Sequence, residues 1–429
     1  MINSHELRQG LSWLPRKGAE ALPARCGGDL GSPLIPKNTL FLGIQFPKFI
    51  LYLGIMIART LEPILKKRFN QGKAIVLLGP RQVGKTTLIK ACLENISFLF
   101  LNGDDPDVQF LLTGIGSSRL SSIIGKHAWV FIDEAQRIPE IGLLSKIIVD
   151  QFPAVQLILS GSSALEINAH TQEPLTGRKF EFFLFPISWA EFESQVGFLE
   201  SSAQLKERLV FGMYPEIISH RNDAQERLRQ LCNSYLYKDV LAITQIKKPD
   251  LLDKLLKALA LRLGSEVSYN ELSQLLEIDK ATVAKYIDLL EKAFIVFRLN
   301  SFSRNVRNEI KNNRKIYFYD NGIRNMVINN LNPFDLRNDI GALWENFLIA
   351  ERIKHHSYHQ TPAAYYFWRN IQQQEVDFVE DRGGKIFAYE FKWNSRGKLK
   401  FPTTFLRDYN AKAQVIDQTN FRDFVQSED

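Results

Sequence analysis

The sequence is poor in cysteine. Its 429 residues include three, Cys26, Cys92 and Cys232, and none of them belongs to a Cys-x-x-Cys pair. This spacing excludes a disulfide framework and a zinc ribbon. A chain of this kind is typical of a reducing compartment, so we expect a cytoplasmic protein.

A long apolar run is also missing. The most apolar stretch, residues 40–55, contains Gln, Pro and Lys48, and only 10 residues separate Lys48 from Arg59. About 20 are needed to span a bilayer, so no membrane partner is expected. Met56 would serve as a start of translation, and we expect residues 1–55 to be a disordered or mis-assigned extension.

The excess of positive charge is small. Lys and Arg number 54 and Asp and Glu number 47, which leaves a formal net charge of +7. Such an excess permits a polyanionic partner such as DNA or RNA without requiring one. Because hydrophobic residues make up 45% of the chain, wholesale disorder is excluded. At about 150 residues per domain, two or three folded domains are expected.

Short apolar runs alternate with helical segments in the first half of the chain. The runs are residues 74–78, 97–101, 129–132, 155–159 and 180–184. Short, nearly continuous apolar strands are typical of a parallel sheet covered on both faces. The pattern therefore predicts an α/β domain.

A glycine-rich loop follows the first of these runs and matches the pattern G-x-x-x-x-G-K-[ST]. Its glycines let backbone N–H groups face phosphate oxygens, and the helix after it adds a partial positive charge. Lys85 is predicted to reach the β- and γ-phosphates of ATP, and Thr86 to bind Mg²⁺. The predicted loop residues are Gly79, Pro80, Arg81, Gln82, Val83, Gly84, Lys85, Thr86 and Thr87.

Two acids follow the apolar run at residues 129–132. Open α/β sheets place their ligands at the carboxyl ends of such strands. Asp133 is therefore predicted to complete the Mg²⁺ site, and Glu134 to polarise the attacking water. The alternative is that the two acids only end a strand and cap a helix. The phosphate loop upstream favours the metal and water roles over this alternative.

Three further residues keep two interpretations each. Ser160 and Ser162 follow the run at 155–159, and either would sense the γ-phosphate or cap a helix. Arg178 would either supply a cation to the transition state, within its own chain or to a neighbouring subunit, or be an ordinary surface arginine.

These motifs resemble the AAA-type ATP-binding proteins of bacteria and archaea that carry a C-terminal domain of unknown function. The resemblance covers residues 56–429 and implies an additional-strand (ASCE) ATPase core that uses Asp133 and Glu134 as described. It implies no particular substrate. The matching segments are 79–87, 132–136, 160–163, 175–178, 185–189 and 212–216.

A winged helix is predicted over residues 264–325. Apolar residues at three- and four-residue spacing indicate helices at 269–278 and 279–290, and a β-hairpin would follow. The hairpin tip, residues 303–315, has five basic side chains and one acid. Such a tip would straddle nucleic-acid phosphates, with Thr282 or Lys285 facing a groove. Packing or dimerisation is the alternative.

Four residues near the C-terminus form another pattern. Alternation places Glu390 and Lys392 on one face of a strand, and Asp377 precedes them on a neighbouring strand. Two carboxylates on adjacent strands suit Mg²⁺, and a lysine beside them would hold or deprotonate a water. The set resembles PD-(D/E)xK nucleases, with Glu345 as an added acid, although Val376 replaces the motif's proline. Cleavage and a silent binding module both remain open.

The predicted fold class is α/β: a P-loop ASCE/AAA-type parallel sheet, then a helical and winged-helix part, then a restriction-endonuclease-like α/β domain. The predicted function is ATP binding and hydrolysis coupled to action on DNA or RNA. The alternative is a nucleotide-dependent switch for protein assembly with a silent terminal domain. A homo-oligomer is compatible with both. The predicted segments are 1–55 (extension), 56–199 (ATPase), 200–263 (helical lid or linker), 264–325 (winged helix) and 326–429 (nuclease-like).

Overall fold

The structure, a computed structural model, describes residues 57–162, 175–243, 249–303, 314–394 and 401–427. Among these residues, the first sheet has five parallel strands in the order β2-β3-β4-β1-β5. They are β1 (Ala74–Leu78), β2 (Leu99–Asn102), β3 (Trp129–Asp133), β4 (Gln156–Gly161) and β5 (Lys179–Phe183). Each predicted strand is present, within two residues of its predicted ends.

The strand order decides where a ligand can be bound. Every residue of β1 and β4 is buried, which is the burial expected of inner strands covered on both faces. Since the strands are parallel, the carboxyl ends of β1, β3 and β4 lie along one edge of the sheet. The helices of this part are α1 (Leu61–Lys66), α2 (Lys85–Cys92), α3 (Pro106–Leu112), α4 (Ser117–Ile124) and α5 (Ile141–Gln151).

The region predicted to be mostly helical, residues 200–263, is helical over most of its described part. The helix before this region, α6 (Trp189–Val196), begins with a reciprocal cap, in which the Ser188 hydroxyl accepts from the Glu191 N–H and the Glu191 carboxylate accepts from the Ser188 N–H. The helices that follow it are α7 (Phe198–Phe211), α8 (Pro215–Ser219), α9 (Ala224–Ile243) and α10 (Pro249–Leu261).

The second sheet joins two predicted segments. Its seven described strands follow the order β12-β11-β10-β9-β7-β8-β6, and the parallel pair of β7 and β9 links residues 264–325 to residues 326–429. The boundary between these two segments remains a prediction. The strands are β6 (Glu266–Val267), β7 (Val296–Ser301), β8 (Arg314–Phe318), β9 (Ala364–Arg369), β10 (Glu375–Arg382), β11 (Lys385–Phe391) and β12 (Lys412–Ile416).

Two capped helices precede the β7–β8 hairpin, in the predicted order. They are α11 (Tyr269–Leu276), whose first turn is capped by the Ser268 side chain, and α12 (Lys280–Lys292), capped by Asp279. The strands β7 and β8 pair antiparallel. Most of the predicted basic tip, residues 304–313, lies outside the described residues.

A single long helix packs on both sheets. After α13 (Asn321–Val327), α14 (Ile340–His359) contacts β5 of the first sheet and β8 and β11 of the second. Its 20 residues correspond to about 30 Å. The chain ends with α15 (Thr403–Tyr409) and α16 (Phe421–Gln426). Among the described residues, no helix has the length and apolar character needed to cross a membrane.

Candidate functional site

The phosphate loop leaves the carboxyl end of β1 with an unusual backbone. Gln82 and Gly84 have φ angles of 60° and 93°, in the left-handed region that favours glycine. A Cβ added to Gly79 would lie 2.0 Å from the backbone oxygen of Leu184. Gly79 therefore cannot be replaced without moving the chain that follows β5.

The predicted lysine lies inside this loop. The Lys85 side chain is buried in the first turn of α2, and its ammonium group donates to the carbonyl oxygens of Gly79 and Pro80, both at 2.9 Å. A positive charge is thus held where the loop curls and where the N–H groups of the helix begin. This arrangement suits a polyanion.

The Asp133 carboxylate accepts hydrogen bonds from two hydroxyl groups, one on α2 and one on β4. Its Oδ2 accepts from Thr86 Oγ1 at 2.6 Å, and its Oδ1 accepts a short hydrogen bond from Ser160. Ser160 belongs to β4 and is fully buried, so its side chain supports the predicted metal acid. The structure brings Thr86, Asp133 and Ser160 together, and γ-phosphate sensing by Ser160 remains a prediction.

Glu134 is positioned by a residue that sequence reasoning missed. Its φ angle is 46°, and its Oε2 accepts from Gln136 Nε2 at 2.5 Å. The same amide nitrogen donates to Ser162 Oγ at 3.1 Å. In the described residues, Gln136 Oε1 is buried with no hydrogen-bond partner. The signal was present in the sequence, since Gln136 lies in the Ile-Asp-Glu-Ala-Gln motif.

Close packing of backbone also shapes this turn. The Gly103 N–H donates to the Asp133 carbonyl oxygen at 2.8 Å, and a Cβ on Gly103 would lie 2.4 Å from the Glu134 carbonyl oxygen. The absence of a side chain at Gly103 therefore lets the chain that follows β2 pack against the backbone of Asp133 and Glu134.

Arg178 is not brought to the phosphate loop of its own chain. Its carbonyl oxygen accepts from the Ala74 N–H at 2.9 Å, beside the amino end of β1, whereas the loop follows the carboxyl end. A five-residue strand separates the two by about 17 Å. The side chain of Arg178 is 39% exposed and pairs with Asp150. A contribution to a neighbouring subunit remains a prediction.

The four predicted residues of the terminal domain are brought together. Lys392 Nζ lies 3.2 Å from Glu390 Oε2 and 3.9 Å from Asp377 Oδ2. Asp377 Oδ2 also accepts from the Phe391 N–H at 2.9 Å, which links β10 to β11. Glu345, near the start of α14, lies close enough to Asp377 for the two charges to interact. We call these four residues, with the side chains that contact them, the terminal cluster.

Burial and charge repulsion raise the pKa of two acids in this terminal cluster. Burial and the nearby Asp377 carboxylate raise the pKa of Glu390 to about 7. Burial also raises the pKa of Glu345 to about 7, with Asp377 adding to the increase and Lys315 opposing it. Both causes disfavour the charged carboxylate.

Sequence reasoning missed three members of the terminal cluster, Lys315, Tyr317 and Glu375. The Tyr317 hydroxyl donates to Glu345 Oε1 at 2.5 Å. Lys315 is ion-paired with Glu375, and its Nζ lies 3.4 Å from Glu345 Oε1. The alternation of Lys315 and Tyr317 on β8 was the available signal.

The structure corrects the assignment of Lys315 to a basic hairpin tip. Its side chain is 2% exposed, so it does not face solvent where a phosphate backbone would lie. Thr282 is also engaged, since its hydroxyl donates to Asp279 at 2.6 Å within the cap of α12. Lys285 is exposed, as a groove-facing residue requires.

The metal assignments differ between the two sites. Within the described residues, no group of three or more His, Cys, Asp or Glu is arranged to hold a metal ion. A Mg²⁺ site at Asp377 and Glu390 would rest on two carboxylates and remains a prediction. At the phosphate loop, the Thr86 hydroxyl and the Asp133 carboxylate are hard oxygen donors of the kind that Mg²⁺ prefers.

A cavity beside the phosphate loop also escaped sequence reasoning. It measures about 260 Å³, and its lining is mostly apolar. Its walls come from the segment before α1, from α2 and from the segments around α6 and α8. They include Ile57, Val83, Thr87, Leu88, Ile187 and Pro215.

Comparison with protein families divides the chain into three parts. Residues 71–193 match the family model described as an AAA domain. Residues 202–333 and 340–427 match two domains of unknown function, DUF8612 and DUF4143. The AAA match coincides with the five-stranded parallel sheet and the phosphate loop. Residues 71–193 therefore form an AAA-type ATPase domain.

Curated relatives extend beyond this domain. The chain is 26% identical over 340 residues to an uncharacterized protein of Mycobacterium tuberculosis, which covers 77% of this chain and 73% of the relative. An uncharacterized protein of Haemophilus influenzae is 25% identical over 183 residues, covering 40% of this chain and 46% of the relative.

Solved structures show a more limited likeness. The Walker-type ATPase of Pyrococcus abyssi is 16% identical, with a TM-score of 0.43 over 63% of this chain and 93% of that one. A signal transduction ATPase with numerous domains from Pyrococcus horikoshii is 13% identical, with a TM-score of 0.27 over 68% of this chain and 44% of that one.

Proposed function

We propose that this chain binds and hydrolyses ATP and couples that reaction to nucleic acid held by its C-terminal part. The observation that carries the ATPase half is the joint position of the buried Lys85 ammonium and the Thr86–Asp133–Ser160 hydroxyl–carboxylate network. The two lie at one edge of a parallel sheet, where such sheets bind ligands.

ATP with Mg²⁺ would supply the transferable phosphoryl group and the metal charge that stabilises its transfer. Lys85 would exchange the carbonyl oxygens of Gly79 and Pro80 for phosphate oxygens. Thr86 and Asp133 would hold the metal. Glu134 would hold the attacking water, in an orientation set by its hydrogen bond from Gln136. The 260 Å³ cavity beside the loop would accept the base and sugar.

Two variants test this half. Lys85→Ala should abolish tight ATP binding because it removes the buried cation. Glu134→Gln should bind ATP but turn it over slowly, because the amide cannot accept a proton from water. Binding is measured with a fluorescent ATP analogue and turnover by phosphate release. If Glu134→Gln hydrolyses ATP at the wild-type rate, the role assigned to Glu134 is wrong.

The nucleic-acid half is supported by the terminal cluster. Glu345 from α14, Asp377 from β10, Glu390 from β11 and Lys392 directly after β11 lie close together. We infer a nuclease-like domain in which Asp377 and Glu390 bind a divalent cation and Lys392 handles a water. The two helices and three strands of residues 264–325 support a winged helix that presents nucleic acid to it.

Incubation with Mg²⁺ or Mn²⁺ and single- or double-stranded DNA and RNA tests this half. Wild-type protein should cleave one of the four, and Asp377→Ala and Lys392→Ala should both lose cleavage. Binding is measured in parallel over a series of salt concentrations, since phosphate contacts weaken steeply with salt.

One observation favours the second candidate, a nucleotide-dependent switch for protein assembly with a silent terminal domain. The Lys315 ammonium already occupies a buried position among the acids of the terminal cluster, and Tyr317 uses one oxygen of Glu345. A cluster neutralised by its own side chains has less need of a metal. If wild-type protein neither cleaves nor binds nucleic acid while its oligomeric state changes with ATP, this candidate is correct.

A further inference from the structure

A buried arginine ahead of α1 joins the phosphate loop to the C-terminal part of the chain. Arg59 Nη1 donates to the Val83 carbonyl oxygen at 2.7 Å. Its Nη2 donates to the Phe185 carbonyl oxygen at 2.7 Å and to the Tyr358 hydroxyl at 3.2 Å. The guanidinium group thus contacts three segments that are far apart in sequence.

The arginine is held in place from its other side by Glu191. Arg59 Nε lies 3.1 Å from Glu191 Oε1, and the two side chains are 8% and 1% exposed. Glu191 Oε1 also accepts from the Thr60 N–H at 2.8 Å. A buried ion pair is weak evidence for stability, but its fixed geometry orients the remaining donors of Arg59.

The contact with Val83 controls the phosphate loop directly. The Val83 carbonyl and the Gly84 N–H belong to one planar peptide unit. Holding the carbonyl oxygen therefore fixes the direction of the Gly84 N–H, one of the groups that would face phosphate. Because Gln82 and Gly84 both have positive φ, this peptide would otherwise reorient readily.

The C-terminal part contributes one face of α14. Tyr358 Oη accepts from the Phe185 N–H at 3.2 Å, Lys354 Nζ donates to the Ile187 carbonyl oxygen at 3.3 Å, and Glu351 accepts from the Trp189 N–H at 2.6 Å. These three residues of α14 follow helical spacing. They hold the segment after β5. In this segment the Leu184 carbonyl oxygen packs so closely against Gly79 that a Cβ there would lie 2.0 Å from it.

We propose that Arg59 and Tyr358 are positioning residues for the phosphate loop, so that a residue matched to DUF4143 completes the nucleotide site of the AAA domain. The inference rests on the ATP binding proposed above. The contacts form a chain that we call the relay: the Tyr358 hydroxyl of α14 accepts from Arg59, and Arg59 donates to the carbonyl oxygen of the Val83–Gly84 peptide. Tyr358 does not line the cavity assigned to the base and sugar, whereas Arg59 does, so Tyr358→Phe tests the positioning role without changing the cavity wall.

Tyr358→Phe is the sharpest test because it removes one oxygen and keeps the ring. Its matched control is Tyr365→Phe, since the Tyr365 hydroxyl contacts His356 of the same helix at 3.0 Å but lies outside the relay. Arg59→Lys keeps the charge and loses the planar fork. For each variant, the dissociation constant of a fluorescent ATP analogue, the KM and kcat for ATP, and the thermal midpoint are measured.

Tyr358→Phe removes the hydrogen bonds that the hydroxyl accepts from Arg59 and from the Phe185 N–H, and this loss predicts about three- to tenfold weaker binding. Arg59→Lys should lose more, about tenfold or above, because at least two acceptors lose their donor. KM should rise in both, with kcat changed less and the thermal midpoint of Tyr358→Phe near that of wild type. Tyr365→Phe should bind within about twofold of wild type.

The outcomes separate this inference from the proposed function. If wild-type protein binds and hydrolyses ATP but Tyr358→Phe and Arg59→Lys bind with unchanged affinity, the relay is wrong and the ATPase stands. If Tyr365→Phe weakens binding as much as Tyr358→Phe, the effect belongs to α14 as a whole and the positioning role is wrong. If wild-type protein binds no nucleotide, both proposals fall.

Discussion

The Tyr317 hydroxyl donates a 2.5 Å hydrogen bond to Glu345 Oε1. Tyr317 lies on β8, which the sequence assigns to a hairpin, and Glu345 lies on α14, which it assigns to another domain. Lys315 lies two residues before Tyr317 on the same strand and is paired with Glu345 and Glu375. The hairpin therefore supplies a hydroxyl and a cation to acids of residues 326–429. The two segments therefore share one polar core.

The first prediction concerns this shared core. Lys315→Met should lower the free energy of unfolding by about 3–5 kcal/mol, because it removes a buried cation that is paired with both Glu345 and Glu375. Unfolding in urea, followed by circular dichroism, measures the change. Lys206→Met is the control: its partner Asp335 is 71% exposed, so its loss should cost about 1 kcal/mol or less. Equal losses in the two variants would contradict the buried pairing.

The second prediction uses two glycines at equivalent helix positions. Gly322 and Gly341 are each the second residue of a helix. A Cβ on Gly322 would lie 2.2 Å from the Phe211 carbonyl oxygen, whereas one on Gly341 meets nothing within 4 Å. Gly322→Ala should destabilise the protein by about 1–3 kcal/mol. Gly341→Ala should be neutral or stabilise it by up to about 1 kcal/mol, as measured by thermal unfolding.

Gln136 supplies the third prediction. Gln136→Ala removes the donor that orients Glu134, so kcat for ATP should fall about tenfold or more while KM changes little. Steady-state phosphate release measures both constants. Gln204→Ala is the control. It also removes a buried amide, which donates a hydrogen bond to Glu200, and it should keep the wild-type kcat. A change confined to KM would show that Gln136 acts on binding instead.

The fourth prediction concerns pH and Asp339. Burial would raise the pKa of Asp339, but hydrogen bonds from Arg337 and Arg324 outweigh burial and lower it. A lowered pKa means that these ion pairs stabilise the fold in full above the unfolded value of about 3.9. This stability is lost as the pH falls through the lowered pKa.

Asp339→Asn should therefore cost about 1.5–3 kcal/mol at pH 7, and the difference from wild type should shrink as the pH falls below about 4. Chemical unfolding at a series of pH values measures this trend. Asp335→Asn, at an exposed ion pair, should show little difference at any pH. A constant difference for Asp339→Asn down to pH 2 would exclude the ion-pair explanation.

Much of the nucleotide site could be predicted because its signals are local. A strand, a glycine loop and a helix follow one another within residues 74–92, and the order of apolar runs implies that Asp133 emerges at the same edge of the sheet. Ser160 has two interpretations from sequence alone, since sequence cannot show which strands are neighbours. The placement of β4 between β3 and β1 decided its contact with Asp133.

The misplaced residues share a different cause. Five cations close together in sequence indicate a basic tip that includes Lys315, but α14 covers one face of β8 and contributes to the burial of this lysine. Arg178 precedes β5 and so lies at the amino edge of a parallel sheet, which only the direction of pairing reveals.

The sequence by itself determined the five strands, the phosphate loop and the acids that follow β3, because short-range periodicity and spacing encode them. It also determined that Asp377, Glu390 and Lys392 would meet, since they lie on or directly after consecutive strands. Only the tertiary structure decided that Arg59 and Tyr358, 299 positions apart, meet at the phosphate loop. Such contacts depend on how separate elements pack, and no pattern within a single element specifies that packing.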